Sequence, residues 1–197
     1  MDRSSDHRLF IALPLPIYQQ NLLANLGTKL RQNLSFANWI DPRDYHLTIQ
    51  FLGSCSTEKI SSIKKQLSLV KNEIPSFHLR IDGLDIFGSP QKPRVLWAKV
   101  AGQLEVLHQL QSEVSKAMEQ IGFTKEHRPY RPHITLAKKY IRKGFSMPEV
   151  HLTEKTSPKW QVDEIILYRT QLKHKPRYEI IARFPLLDHY DGIYPLE

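Results

Sequence analysis

Two short motifs, each with a histidine two residues before a threonine, have residue types and a spacing that suit catalysis. They are His46-Leu47-Thr48 and His133-Ile134-Thr135, 87 residues apart. Side chains two apart on a strand point to the same face, so each motif would place an imidazole beside a hydroxyl. Two such motifs facing each other would surround one small cavity with two imidazoles and two hydroxyls.

These groups suit in-line displacement at phosphorus, in which the attacking and leaving oxygens lie on opposite sides of the phosphorus atom. One imidazole would accept a proton from the nucleophile and the other would give one to the leaving oxygen, because a pKa of about 6.5 allows both roles. The threonine hydroxyls would donate hydrogen bonds to the non-bridging oxygens. We therefore predict His46 and His133 as catalytic, Thr48 and Thr135 as phosphate-binding, and neither metal nor cofactor.

A single His-x-Thr pair would usually be structural, so this hypothesis depends on the repetition. Other kinds of active site have weaker support. Two histidines fall short of the roughly three protein ligands of a catalytic zinc site. The sequence contains no Gly-x-Ser-x-Gly, P-loop or dinucleotide fingerprint. The other histidines lack the motif and are interpreted as surface or incidental residues: His7, His78, His108, His127, His151, His174 and His189.

The charge and the cysteine content indicate which kind of partner and which cellular compartment to expect. The 197-residue chain has a net charge of +8, and the stretch from Lys125 to Lys143 holds seven basic residues and one acid. Because this stretch encloses the second motif, it predicts RNA or phosphate contacts by Tyr130, Arg131 and Lys138. Cys55 is the only cysteine, which excludes an internal disulfide. With no membrane-spanning run and no signal-peptide pattern, we expect a cytoplasmic monomer.

Hydrophobic periodicity predicts the elements that would hold the motifs. Strict alternation predicts a strand from Tyr45 to Leu52, with Phe51 on the face opposite to His46. A second alternating strand runs from His133 to Tyr140, with Lys138 on the face opposite to His133. Further strands are predicted at 8–13, 36–40, 77–87, 95–100, 162–170 and 177–184, helices at 17–34, 57–70 and 104–121, a loop at 143–159 and a loose tail over the last ten residues.

This mixture of helices and strands, with hairpin-length connections, indicates an α+β fold with largely antiparallel sheets. One motif strand occurs in each half of the chain. We therefore predict a single domain over residues 1–197, made of two intertwined, pseudo-symmetric lobes with one motif each. Two sheets would face a central cleft, and the helices would lie outside.

The motifs and their surroundings resemble the 2H phosphoesterase superfamily, and within it the RNA 2′,3′-cyclic phosphodiesterases, also called 2′-5′ RNA ligases. The resemblance rests on Trp39, Pro42 and residues 9–14, 46–53, 95–98, 132–137, 167–168 and 177–179. It implies a bilobed fold with the site in the cleft, and hydrolysis of an RNA-terminal 2′,3′-cyclic phosphate to a 2′-phosphate. His46 would be the proton donor to the departing 3′-oxygen, and His133 the proton acceptor from water.

The resemblance also implies the reverse reaction, which joins an RNA 5′-hydroxyl to a cyclic phosphate end in a 2′-5′ link. The implied partner is RNA with cyclic phosphate ends, and tRNA fragments are candidates. Lys138 and Lys139 stand where the family often has arginine, so the positive charge is kept and the bidentate fork is lost.

Two other interpretations stay open on the sequence alone. The same chemistry could act on a small cyclic nucleotide or an ADP-ribose derivative. Alternatively, a non-catalytic RNA-binding module could use Arg128, Tyr130, Arg131 and Lys138. Four aromatic residues are candidates for stacking on a base, although aromatic residues in such strands more often belong to the core: Phe10, Trp39, Trp97 and Tyr178.

Overall fold

A sheet of antiparallel strands with three helices forms the frame of the protein. The computed structural model describes residues 7–126, 128–150 and 157–187. Its strands are β1 (His7–Pro14), β2 (Phe36–Trp39), β3 (His46–Cys55), β4 (Phe77–Ser89), β5 (Lys92–Gly102), β6 (His133–Tyr140), β7 (Trp160–Val162), β8 (Glu164–Thr170) and β9 (Tyr178–Pro185). The helices are α1 (Ile17–Arg31), α2 (Thr57–Val70) and α3 (Leu104–Gln120), and a 3₁₀ turn spans Pro42–Asp44.

Hydrogen bonds connect the strands in the order β7-β4-β5-β6-β3-β1-β8-β9, and β2 also pairs with β6. The predicted α+β class and the antiparallel pairing are confirmed. The prediction of two separate sheets is wrong in one respect: they join into one curled sheet, where Leu47 of β3 pairs with Ile134 of β6. Without this pairing β3 would be an edge strand, and the contact with β6 satisfies backbone groups that an edge leaves exposed.

The three helices cover the face of the sheet that points away from the motif side chains. Leu47 and Ile134, the middle residues of the two motifs, are fully buried. They share one hydrophobic core with Leu23 of α1, Leu67 of α2 and Leu110 of α3. Burying the middle residue of each motif therefore turns its histidine and threonine toward the opposite, helix-free face.

The ends of two helices can be compared with their predicted positions. The helix α1 ends at Arg31, three residues before its predicted end. The helix α3 ends as predicted just before Gly122, whose φ of +87° favours glycine. There the N–H of Phe123 donates to the carbonyl of Met118 at 3.1 Å, which satisfies a carbonyl of the last turn.

A β-bulge follows the threonine in both motif strands. In the pairing of β1 with β3, Ala12 lies opposite Thr48 and Ile11 opposite Gln50, so one residue, Ile49, is extra. In the pairing of β5 with β6, the residues opposite Thr135 and Ala137 are adjacent, so Leu136 is extra. A bulge of this kind reverses the alternation of the residues beyond it.

The first bulge makes the predicted orientation of Phe51 wrong. Phe51 pairs with Phe10, and the ring of Phe10 lies 4.9 Å from the ring of His46. Because directly opposite residues share a face, Phe51 lies on the same face as His46. Its side chain is 71% exposed there, where strict alternation had predicted burial.

The second bulge makes the predicted orientation of Lys138 wrong in the same way. Lys138 pairs with Val95, and Val95 in turn pairs with Phe87. The ring of Phe87 lies 4.9 Å from that of His133, so all three side chains share the face of the second motif. Lys138 therefore extends over the face that carries His133 and Thr135, not over the opposite one.

The remaining elements largely follow the predictions. The hairpin of β8 with β9 is confirmed, although the predicted strand 162–170 is divided into β7 and β8. The predicted loop is described at 143–150 and 157–159, and these residues contain no helix and no strand. The predicted tail begins at residue 188, outside the described residues. Within the described part of the chain, no helix is both long and apolar enough to cross a membrane.

Candidate active site

The register of the two motif strands places each histidine across from the threonine of the other motif. Leu47 lies directly opposite Ile134, so one residue to either side sets His46 opposite Thr135 and Thr48 opposite His133. All four side chains point away from the core on one face. The two histidines occupy a diagonal of this group, and diagonal neighbours lie about 7–8 Å apart, with their Cβ atoms somewhat closer. The geometry brings the four predicted site residues together.

The histidine of each motif is held by the backbone in the same way. Nδ1 of His46 lies 2.7 Å from the carbonyl oxygen of Asp44, and Nδ1 of His133 lies 2.7 Å from that of Arg131. In both motifs the acceptor is the carbonyl two residues before the histidine. A carbonyl oxygen only accepts, so Nδ1 carries the proton in both rings. This leaves Nε2 of each imidazole as the atom that can take up or release a proton.

Aromatic side chains surround each imidazole. The ring of His46 lies 4.9 Å from Phe10, 5.0 Å from Tyr178 and 6.2 Å from Tyr168. On the other side, the ring of His133 lies 4.9 Å from Phe87 and 5.8 Å from Trp97. These contacts restrict each ring to one orientation and reduce its access to water.

The surroundings lower the pKa of both histidines. Burial is the main cause for His46, and the positive charge of Lys138 and the neighbouring His133 add to it, so that its pKa falls to about 4. The hydrogen bond to Asp44 acts in the opposite direction. Burial also lowers the pKa of His133, again with help from Lys138. Without a bound anion, both imidazoles are therefore mainly neutral near pH 7.

Asp44 is a buried positioning residue that no motif in the sequence marks. Its carboxylate accepts hydrogen bonds from the backbone N–H groups of Arg177 at 2.9 Å and Tyr178 at 3.3 Å. Its own carbonyl orients His46. A single residue therefore joins the turn before the first motif to the start of β9, which carries one of the rings around His46.

Tyr130, a predicted RNA or phosphate contact, is hydrogen-bonded within the protein. Its hydroxyl donates a hydrogen bond of 2.9 Å to the carbonyl of Thr48. Its ring also makes an edge contact with His108, with 5.7 Å between centroids. The hydroxyl hydrogen is used within the protein, so Tyr130 positions the first motif strand instead of donating to phosphate.

The other predicted contact residues lie around the rim. Arg131 is exposed and supplies the carbonyl that holds His133. Arg128 is exposed and pairs with Glu126 at 3.0 Å, which compensates its charge. Lys138 is exposed, and its charge acts on both histidines. Of the predicted cations around the rim, Lys138 is thus the one whose charge lowers the pKa of both His46 and His133.

The stacking candidates divide into two groups. Three candidates contact the imidazoles of the motifs: Phe10, Trp97 and Tyr178. Phe10 and Trp97 are 3% and 7% exposed, so they cannot offer a ring face to a base. Trp39 lies elsewhere, under the guanidinium of Arg31 at 5.0 Å and against Phe36. An exposed ring on the face of the motif side chains belongs to Phe51, which strict alternation placed on the opposite face.

The incidental histidines stay outside this group wherever the structure describes them. His78, His108 and His174 are exposed, and His7 contacts Thr57 and Arg169. His127, His151 and His189 lie outside the described residues. Over residues 7–126, 128–150 and 157–187, no three His, Cys, Asp or Glu side chains gather as a metal site would require.

Comparison with known proteins adds a family. The sequence model described as the 2′-5′ RNA ligase superfamily matches residues 23–174. A protein of Geobacillus stearothermophilus named RNA 2′,3′-cyclic phosphodiesterase is 34% identical over 184 residues, which cover 93% of this chain. This chain spans 58% of the length of that relative. A Bacillus subtilis protein of the same name is 33% identical over 90% of this chain and 95% of its own length.

Solved structures support the fold. A crystal structure from Thermus thermophilus superposes with a TM-score of 0.79 at 26% identity, covering 93% of this chain and all of that one. The apo structure of Escherichia coli LigT superposes with a TM-score of 0.76 at 23% identity, over 92% of this chain and 98% of its own. The architecture expected from the paired motifs is therefore shared with these proteins.

Proposed function

Because this chain belongs to the 2′-5′ RNA ligase superfamily, we propose that it hydrolyses RNA-terminal 2′,3′-cyclic phosphates to 2′-phosphates with two histidines and no metal. The observation that carries the proposal is the matched pair of imidazoles. Each is fixed through Nδ1 to the carbonyl two residues before it, at 2.7 Å in both motifs. Two free Nε2 atoms on one face are what acid–base catalysis of an in-line displacement needs.

The reaction then follows from the positions of the groups. Nε2 of His133 accepts a proton from water as the water oxygen bonds to phosphorus. The bond from phosphorus to the 3′-oxygen breaks on the far side, and Nε2 of His46 gives its proton to that oxygen. Thr48 and Thr135 donate hydrogen bonds to the non-bridging oxygens. The family resemblance supplies the choice of His46 as acid and His133 as base, since the arrangement itself is nearly symmetric.

The negative charge of the substrate favours the protonated form of His46, which the acid role requires. Burial and Lys138 keep the pKa of His46 at about 4 in the free protein. A phosphate anion between the imidazoles offsets the charge of Lys138 and favours the protonated form of the ring beside it. Substrate binding and protonation of the acid are therefore coupled, and the free protein avoids holding two buried cations next to each other.

The exposed ring of Phe51 supports a nucleotide substrate. Phe51 lies on the catalytic face, on the strand that also carries His46, and its centroid is 6.1 Å from that of Phe10. The ribose that keeps the departing 3′-oxygen must lie beside His46. A base attached to that ribose can stack on Phe51, since an aromatic ring stacks on any base.

The same groups support a ligation that competes with hydrolysis. When an RNA 5′-hydroxyl replaces water beside His133, attack on the cyclic phosphate forms a 2′-5′ phosphodiester. His46 again protonates the 3′-oxygen. We include this ligation in the proposal as a second outcome of one site, and its yield depends on whether water or the 5′-hydroxyl occupies the position beside His133.

The test is turnover of an RNA oligonucleotide with a 2′,3′-cyclic phosphate end in excess chelator. We expect a 2′-phosphate product, and the variants His46→Ala and His133→Ala should each lose at least ~10²-fold in kcat. His78→Ala removes an exposed histidine from another part of the sheet and serves as the matched control. Turnover that requires added metal would exclude the metal-free mechanism. Full activity in both active-site variants would exclude the assignment.

The same assay separates the alternatives. A non-catalytic RNA-binding module would bind the oligonucleotide in a salt-sensitive way, form no product and be unaffected by loss of either histidine. A phosphodiesterase for small cyclic nucleotides or ADP-ribose derivatives would prefer the small compound when both substrates compete.

A further inference from the structure

A basic depression opens where β5 begins and β6 ends, beside the catalytic face. It has a volume of about 360 Å³ and is lined by Lys92, Pro93, Arg94, Lys138, Lys139 and Tyr140. We call it the β5–β6 groove. Four of its six lining residues are cations and none is acidic. A concave surface with charge of one sign attracts and holds counter-ions of the other sign.

The positive charge of this groove is not compensated within the described part of the protein. Other cations pair with carboxylates, such as Arg128 with Glu126 and Arg183 with Glu164. Among the described residues, the four groove cations make no such ion pair. Like charges gathered in one depression repel each other, and a bound polyanion would remove that repulsion.

The backbone at Lys139 keeps this cluster exposed. Lys139 has a φ of +64°, the one non-glycine residue with a left-handed conformation in the described chain. A regular strand would alternate the directions of successive side chains. Here Lys138 and Lys139 are both exposed, whereas Tyr140 is 5% exposed and packs in the core. An unfavourable backbone conformation at a position that serves to expose a cation suggests a functional role.

Lys138 connects the groove to the catalytic pair. It lines the groove, and its pairing with Val95 also places it on the face of His133. Its charge is felt at both histidines. The groove is therefore continuous in charge with the place where the cyclic phosphate would lie.

We propose that the β5–β6 groove binds the backbone phosphates of a single-stranded RNA whose cyclic phosphate end occupies the catalytic site. The inference rests on the proposed function and adds the residues that would select a polymer over a mononucleotide. A mononucleotide has one phosphate and leaves the groove empty, whereas an oligonucleotide places further phosphates there. The protein is thus specific for a polymer end, and the selection lies in binding, outside the reacting atoms.

The experiment compares two substrates with the same terminal nucleotide: a 2′,3′-cyclic mononucleotide and a short RNA oligonucleotide with a 2′,3′-cyclic phosphate end. The test variant is Arg94→Ala combined with Lys139→Ala, and Lys92→Ala is a second variant that leaves the backbone at position 139 unchanged. The matched control is Lys29→Ala combined with Lys65→Ala, which removes two exposed lysines from α1 and α2.

We expect the double groove variant to raise KM for the oligonucleotide and to leave kcat/KM for the mononucleotide unchanged. Each phosphate contact in a single strand contributes about 0.7 to the slope of log affinity against log salt. When the salt is raised from 50 to 200 mM, oligonucleotide binding should therefore weaken about sevenfold less in a variant that has lost two contacts than in the wild type. Equal effects on both substrates, or an unchanged oligonucleotide KM and salt slope, would overturn the proposal that this groove binds RNA.

Equilibrium binding of the 2′-phosphate oligonucleotide, the reaction product, keeps this inference separate from the proposed function. If the wild-type protein hydrolysed neither substrate, the proposed function would fail. The groove would still be judged by whether its variants weaken oligonucleotide binding more than the control does. Binding that is equally tight in all these proteins contradicts the groove on its own.

Discussion

The hydroxyl of Tyr130, from the segment that leads into the second motif, donates a 2.9 Å hydrogen bond to the carbonyl of Thr48 in the first. The segment before the first motif makes the complementary contact, since β2 pairs with β6, the strand of the second motif. Each motif strand is thus held by the segment that precedes the other motif.

Tyr130→Phe tests this bracing. The carbonyl of Thr48 loses its donor, so the free energy of unfolding should fall by about 1 kcal/mol. Because Thr48 holds phosphate in the proposed mechanism, kcat for a cyclic mononucleotide should fall as well. Tyr18→Phe is the control, as it removes an exposed hydroxyl bonded to the carbonyl of Lys159 at 3.3 Å. A stability loss without any change in kcat would show that Tyr130 has a structural role alone.

Asp44→Ala should affect stability and catalysis together. The N–H groups of Arg177 and Tyr178 lose their acceptor, which should lower the free energy of unfolding by about 1–3 kcal/mol. The carbonyl that orients His46 moves with the turn, so kcat should fall more than KM rises. Asp44→Asn keeps one acceptor oxygen and should restore part of both quantities. Asp82→Ala removes a carboxylate paired with Arg80 on β4, away from this turn, and is the control; a similar loss of kcat there would contradict the role of Asp44.

Lys138→Met should move the pH profile of kcat/KM toward higher pH. The positive charge of Lys138 lowers the pKa of both His46 and His133, so its removal raises both values. Both limbs of the bell-shaped profile should shift in the same direction. Lys29→Met, a distant charge removal on α1, should leave the profile in place. If Lys138→Met changed only the height of the profile, the electrostatic coupling would be wrong.

Acid should destabilise the fold through the two histidines. Their pKa values are lowered in the folded protein, to about 4 for His46, while the unfolded chain keeps about 6.5. Between these values the unfolded state binds more protons, so the free energy of unfolding falls as the pH decreases from about 6.5 to 4. Urea unfolding across this range should show a shallower pH dependence for His46→Asn and His133→Asn than for the wild type. His78→Asn should retain the wild-type slope.

Phe51→Ala should weaken substrate binding without weakening the fold. Stacking of a base on an aromatic ring contributes about 1–3 kcal/mol, so KM should rise about fivefold or more while kcat changes less. The melting temperature should stay close to wild type because 71% of the side chain is exposed. Phe51→Trp should keep the low KM. Leu69→Ala, which truncates an exposed residue of α2, is the control. A KM unaffected by Phe51→Ala would remove Phe51 from the substrate contacts.

The sequence predicted that the histidines and threonines of the two motifs lie together, because this depends on side-chain type and on strand phase, which alternation reveals directly. It failed just beyond each motif, at Phe51 and Lys138. The bulges at Ile49 and Leu136 are set by the register of neighbouring strands, and a single strand carries no signal of that register.

The groups that orient the imidazoles were beyond sequence inference for another reason. The acceptors on Asp44 and Arg131 are backbone carbonyls, which every residue possesses. The joining of the two expected sheets at Leu47 and Ile134 likewise depends on backbone hydrogen bonds between distant segments. Burial of Leu47 was predictable from its apolar type, whereas its partner strand was not.

The reciprocal bracing of the motif strands limits how this protein can be divided. A cut between the motifs would deprive β3 of the hydroxyl of Tyr130 and β6 of its pairing with β2, so neither fragment would retain a correctly held strand. The catalytic face should therefore be lost in one cooperative step during unfolding. Separately expressed halves should recover activity only when they reassociate.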